Sequence, residues 1–326
     1  MTTARGFTLV ELMIAMVIGL IALMGVINIM SMNRMNYRTT DALSELQENA
    51  RTAFELLARD IRQAGDTGCG TIDVLPSTAG IGSGWWQDWN PLVGFDGGTS
   101  TAAVTTGTGA AARLAGTHAI QVQGTENGWP ILAFVPASSD DSPISTLAGN
   151  PFRQNDVVMV CDFQAGTPGA LFVVQNSPAG GTSVVVNPTG ALNFETNGQL
   201  ARYYAATWYV GDNGRPADGG RSLYRVRYVQ GTGASPADGS RIVTEELLPG
   251  VSDMQFRFRL QGSNDFVAPA TIGTDWDQVS AVEVTLVMWT TQADIATEAG
   301  PSPTIGPDRR LQRTFVNIIN LRNREQ

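Results

Sequence analysis

The chain has 326 residues and a formal charge of −9, and all of its 21 cationic side chains are arginine. That balance counts against direct nucleic-acid binding, because such affinity is built largely from Lys and Arg neutralising phosphates. Charged residues make up 16% of the chain, against roughly 25% in ordinary globular proteins. Together with 36 glycines, this fits turn-rich β-structure, and β-domains often run past about 200 residues as one unit.

The first element is the run Gly6 to Met30, GFTLVELMIAMVIGLIALMGVINIM, which carries a single charge, Glu11. Phe7 to Met30 is long and apolar enough to cross a bilayer as a helix. A carboxylate inside such a span costs up to about 3 kcal/mol at the bilayer centre and less near its edge, so Glu11 calls for a function. The run is too long for a secretory signal peptide, and no small-residue cleavage site follows it. A plain signal anchor with Glu11 at the membrane edge explains the span alone. Arg5 lies before the run and Arg34 and Arg38 after it, so the positive-inside bias is weak, and orientation rests on the short leader and the long downstream domain.

No proline precedes Pro76 and no glycine lies between Gly25 and Gly65, so the helix is expected to continue. Leu43, Leu46, Ala50, Ala53, Leu57, Ile61 and Ala64 line one face, and Glu48/Arg51 and Glu55/Arg59 form small stabilising pairs on a solvated face. With Gly65 as its C-cap, the predicted helix is about 58 residues and about 87 Å long. The organisation expected is a leader at 1–6, a membrane half at 7–30, an amphipathic half at 31–65 and a β-rich domain at 66–326.

Beyond residue 66, β-like runs alternate with Gly, Pro, Asn and Asp. Strands are predicted at Ala119–Gln123, Ile131–Val135, Val157–Val160, Leu171–Gln175, Ser183–Asn187, Ala201–Val210, Ser222–Val229, Val251–Leu260, Val279–Thr290 and Leu311–Leu321. Met254 to Leu260 alternates strictly between apolar and polar, as a half-buried antiparallel strand does. No helices alternate with these strands, which disfavours a doubly wound sheet. The fold class is α+β, a long N-terminal helix packed on a large antiparallel sheet domain. Residues 76–117 read as a decorated loop in which Trp85, Trp86 and Trp89 either cap the β-domain core or form a partner or ligand platform. Gly211 to Gly214 reads as a hairpin turn that lacks calcium-loop spacing.

A catalytic reading finds one histidine, His118, and no nucleophile elbow, zinc-protease helix or Walker loop. The pairs Asp140/Asp141 and Glu245/Glu246 would point to opposite faces of a strand. No enzyme activity, cofactor or metal is expected. Cys69 and Cys161, the only cysteines, are not in metal-ligand spacing. In an oxidising compartment they would form a disulfide closing a loop of about ninety residues, worth roughly 4–5 kcal/mol in a chain-entropy account; two buried thiols are the alternative.

Gly6-Phe7-Thr8-Leu9-Val10-Glu11 resembles the processing site of type IV prepilins, where a dedicated peptidase cuts after the glycine and methylates the new N-terminal phenylalanine. Beyond it, the runs Leu46 to Cys69, Pro91 to Gly97, Asn155 to Asp162, Arg221 to Tyr228, Leu247 to Phe258 and Arg313 to Arg324 resemble the PilW family of type IV pilus minor pilins. The resemblance implies cleavage between Gly6 and Phe7, N-methylation of Phe7, and a helix that joins a bundle of subunits with Glu11 facing a neighbour's α-amine. It also implies a single pass through the bacterial inner membrane, a periplasmic domain, and incorporation into a surface fibre serving twitching motility, adhesion or DNA uptake. Implied partners are other minor pilins, the major pilin, the prepilin peptidase and the inner-membrane assembly platform. A type II secretion pseudopilin shares the leader, helix and β-domain, and a membrane-tethered binding module or adhesin is a rival of another class.

Overall fold

The computed structural model describes residues 8–68, 74–75, 84–87, 89–134, 142–162, 168–177, 180–186, 198–231, 241–296 and 305–322. Helix α1 spans Leu9–Arg62 without interruption. Thr8 caps its start: the Thr8 hydroxyl accepts from Glu11 N–H, and the Glu11 carboxylate accepts from Thr8 N–H, which satisfies two backbone donors reciprocally. The helix ends two residues before the expected position, with Gln63 as cap. Gly65, at φ 77°, then turns the chain so that its N–H donates to Gln123 O. Any Cβ at Gly124 would lie 2.6 Å from Gln63 O, so the helix end and this strand approach as closely as only glycine allows.

Strands follow in the order β1 (Val74–Leu75), β2 (Leu92–Phe95), β3 (Ala119–Phe134), β4 (Ser142–Thr146), β5 (Val157–Asp162), β6 (Gly169–Asn176), β7 (Ser183–Val186), β8 (Gly198–Asp212), β9 (Arg221–Tyr228), β10 (Ile242–Pro249), β11 (Val251–Leu260) and β12 (Phe266–Val267). A short helix α2 (Pro269–Ile272) precedes β13 (Val279–Trp289) and β14 (Gln312–Asn320). Among the described strands every pairing is antiparallel except β1 with β6. The expected antiparallel sheet packed on the N-terminal helix is present.

The long strands β3 and β8 organise the domain because each has different neighbours along its two halves. Ala119–Glu126 of β3 lies beside the second half of β8, and β2 and β9 extend this pair into an open sheet ordered β10-β9-β8-β3-β2. Farther along, β8 turns to β5 and β3 to β4, and the pairings β3-β8-β5-β6-β7-β4-β3 close a ring of six strands. Apolar side chains including Ile131, Ile144, Phe172, Val184 and Leu200 form one buried cluster contributed by strands of that ring. Closure removes the edges that an open sheet exposes. The transition falls at an irregularity between Glu126 and Trp129, where the sequence reading breaks one strand into Ala119–Gln123 and Ile131–Val135. Asn127 and Gly128 there mark a bulge rather than a turn.

A second sheet, β12-β11-β13-β14, packs with α1 and the open sheet around the main core. Leu46, Ala50, Ala53, Leu57, Ile61 and Ala64 of the predicted face are buried; Leu43 is half-buried and Ala42 takes the inner position. The expected Glu48/Arg51 and Glu55/Arg59 pairs are replaced by Arg51–Glu55 at 2.9 Å, one turn apart and largely exposed, which contributes little to stability.

Candidate assembly surface

From Thr8 to Arg38 every residue of the helical segment is exposed, and the side chains include Leu9, Val10, Ile14, Val17, Ile21, Met24 and Ile27. Within the described residues this is the one helix long and apolar enough to cross a membrane. An apolar surface running all round a helix is stable only in lipid or among other helices. Gly19 and Gly25 have open space around the position of a Cβ, so they are not explained by packing within the chain. Glu11 sits in the first turn, where its carboxylate offsets the positive end of the helix dipole. The contacts from Thr8 N and Thr8 Oγ1, at 2.9 and 3.0 Å, both fall on Oε2, so Oε1 takes neither. Gly6 and Phe7 lie outside the described residues.

The other half of α1 is held by a polar clasp. Asp60, buried among the apolar residues of the helix, accepts from Tyr204 Oη at 2.6 Å and Trp208 Nε1 at 2.9 Å. Arg225 approaches it at 3.5 Å, lies over the Trp208 ring, and bonds Glu245 at 2.8 Å. Burial, followed by the charge of Asp60, pushes the Tyr204 hydroxyl well above its usual range, so it remains a donor. The clasp fixes rotation and height of α1 on the open sheet, which determines how the exposed half leaves the domain. Sequence reading missed Asp60 beside the solvent-facing Arg59; its signal is the three- and four-residue spacing Leu57, Asp60, Ala64, which puts it on the buried face.

The tryptophans lie over the opposite side of the sheet. Trp86 is buried and stacked on Tyr228 with ring centroids 5.4 Å apart, and Tyr203 Oη donates to Trp86 O at 2.6 Å. Trp85 and Trp89 are half-buried against the same apolar cluster. All three therefore pack on the β-domain, and β2 lies within the segment read as a loop. Buried Arg113 organises the neighbouring residues by donating to the carbonyls of Asp96, Thr99 and Thr117, a task suited to a planar cation with five donors. Asn213 and Gly214 fall in the β8–β9 hairpin connection, as expected from their composition.

Cys69 lies outside the described residues. Cys161 is buried on β5, with its sulfur 3.1 Å from Thr67 O, close to the end of α1. His118 is half-buried between the sheets: its N–H donates to Met254 O, and its Nδ1 accepts from Phe256 N–H at 3.0 Å. Among the described residues no cluster of His, Cys, Asp and Glu side chains is arranged to hold a metal.

Residues 1–27 match the prokaryotic N-terminal methylation motif. With an exposed apolar helix continuing into an α+β domain, this match supports a type IV pilin-like protein with a single membrane-anchoring helix. Proteins that carry the motif in this way are structural subunits rather than enzymes. Neither curated proteins nor solved structures gave a match.

Proposed function

We propose that the protein is a minor pilin of the PilW type, which joins other minor pilins to prime assembly of a type IV pilus and remains near its tip. The observation that carries the reading is the methylation motif at residues 1–27 on a helix exposed from Thr8 to Arg38 and rigidly clasped to a large domain. In this reading the prepilin peptidase cuts between Gly6 and Phe7, and the new amine is methylated. The apolar half of α1 waits in the inner membrane and then enters a helical bundle at the assembly platform. Glu11 has a coherent role there: in a low-dielectric bundle a carboxylate and an ammonium offset each other's desolvation and set axial register. Its Oε1 is available to a neighbour's amine while Oε2 keeps the Thr8 cap.

The size of the domain supports a minor rather than a major subunit. A fibre of stacked copies must repeat each domain around a narrow core, whereas a subunit used once at a tip has no such limit. Asn28 also stands where major pilins commonly have a helix-loosening proline. A Cys69–Cys161 disulfide would tie the segment after the helix to β5, supported by the position of the Cys161 sulfur beside Thr67 O.

The test is to shear fibres from cells and measure subunit composition alongside a Glu11→Ala strain. The expected result is that this chain is a trace component, and that Glu11→Ala leaves the domain folded but sharply lowers fibre number. Fibres consisting mainly of this protein, or a Glu11→Ala strain with normal piliation, would contradict the reading.

A further inference from the structure

The open sheet and the four-stranded sheet end in four edge strands, and three are protected in familiar ways. β2 and β12 are four and two residues long. β10 has an irregular register between Glu246 and Leu248, carries Glu245 and Glu246, and finishes in Pro249. Short length, bulges, charge and proline all discourage edge pairing. β14 has little of this defence. It runs nine residues, its register to β13 is unbroken, and Arg313 is its only charge. Its outer face presents Val316 and Ile318, exposed by 58% and 51%, and no described strand pairs with its far side.

We propose that the free edge of β14 docks a β-strand from a neighbouring pilin-like subunit of different sequence, added as a fifth strand to β12-β11-β13-β14. This deepens the assembly reading and rests on it. The unpaired backbone of an edge strand specifies an extended occupant, since only another strand satisfies its donors and acceptors in series. The occupant needs apolar side chains at alternate positions to cover Val316 and Ile318.

Charge argues against a second copy. In a two-fold antiparallel self-pair centred on Val316, Arg313 of each copy comes opposite Ile319 of the other and has no carboxylate to meet. Each chain also carries a net charge of −9, so two copies repel as they approach. Arg313, the only charge on β14, favours a partner strand with a carboxylate opposite it. The location is suitable because α1 packs directly on β13 and β14. A neighbour whose own helix runs beside α1 brings its domain to this side of the molecule.

The experiment places a photoreactive benzoylphenylalanine at Val316 or Ile318 of the full chain in its own cells, with a control at the exposed Leu132 of the ring. Expected is an adduct from Val316 and Ile318, absent from Leu132, whose cross-linked peptide maps to an alternating apolar segment of a different protein bearing the same N-terminal motif. Ile318→Lys, combined with the probe at Val316, should abolish that adduct while leaving thermal unfolding of the domain unchanged. No adduct, an adduct to a second copy, to a protein without the motif or to lipid, or an equal yield from Leu132, would overturn the proposal. N-terminal processing is read on the same sample: a processed chain without the adduct defeats only the edge proposal, whereas an unprocessed chain defeats the assembly reading beneath it.

Discussion

Asp60 carries more of the architecture than any other single residue of α1. It is the only ionisable group on the buried face of the helix, and its carboxylate receives the Tyr204 hydroxyl and the Trp208 indole from β8. Asp60→Ala removes the acceptor and leaves these donors without it in a site that excludes water, at a cost of about 3 kcal/mol. For a domain of this size that corresponds to about 10 °C in melting temperature. Asp60→Asn retains an acceptor oxygen and should lose less than half as much. Thermal unfolding followed by near-ultraviolet circular dichroism, which reports Trp208 directly, checks both. An alanine variant that melts with the parent would mean that the clasp does not hold the helix.

At the scale of elements, His118 joins β3 to β11, and this junction is pH-sensitive. Burial holds the His118 pKa below its usual value; nearby Asp253 and Asp96 oppose the shift and Arg113 reinforces it. A folded pKa below the unfolded one means that the unfolded chain binds more protons in the interval between them. The stability held by neutral His118 is therefore complete above about pH 6.5 and is lost as pH falls through that interval. The geometry agrees, since a proton on Nδ1 would oppose the N–H of Phe256. Melting temperatures across pH 7.5 to 5 should fall more for the native chain than for His118→Asn, whose amide oxygen accepts without titrating. Equal slopes would assign the pH dependence to other groups.

The elements also differ in how far their residues disclose them. The helix was legible because Leu46, Ala50, Ala53, Leu57 and Ile61 repeat with a helical period, and β11 because Met254 to Leu260 alternates. β4 and β10 were missed: Pro143 interrupts one, while Glu245, Glu246 and Pro249 mark the other as loop-like. Both exist because neighbouring strands supply their hydrogen bonds. Ring closure was not legible either, since it depends on β3 and β8 exchanging partners midway, a matter of register between residues far apart in sequence. At the candidate site, the motif around Glu11 stood out because charge in an apolar run is costly. Asp60 did not, because one aspartate in a charged amphipathic segment resembles its solvated neighbours.

For the molecule as a whole, an apolar helical segment that meets no partner among the described residues is joined to a domain whose own apolar surfaces are largely covered. On the proposed reading such a chain is completed by a membrane first and by other helices afterwards, with the edge of β14 as a second point of attachment. On that reading the order of these events begins with processing at Gly6 and Phe7. The most direct measurement is therefore mass spectrometry of the N-terminal peptide from membrane-extracted protein, taken from cells with an active prepilin peptidase. The account predicts a chain that begins at N-methylated Phe7 and lacks Met1 to Gly6. A chain that retains Met1 in those cells would contradict it.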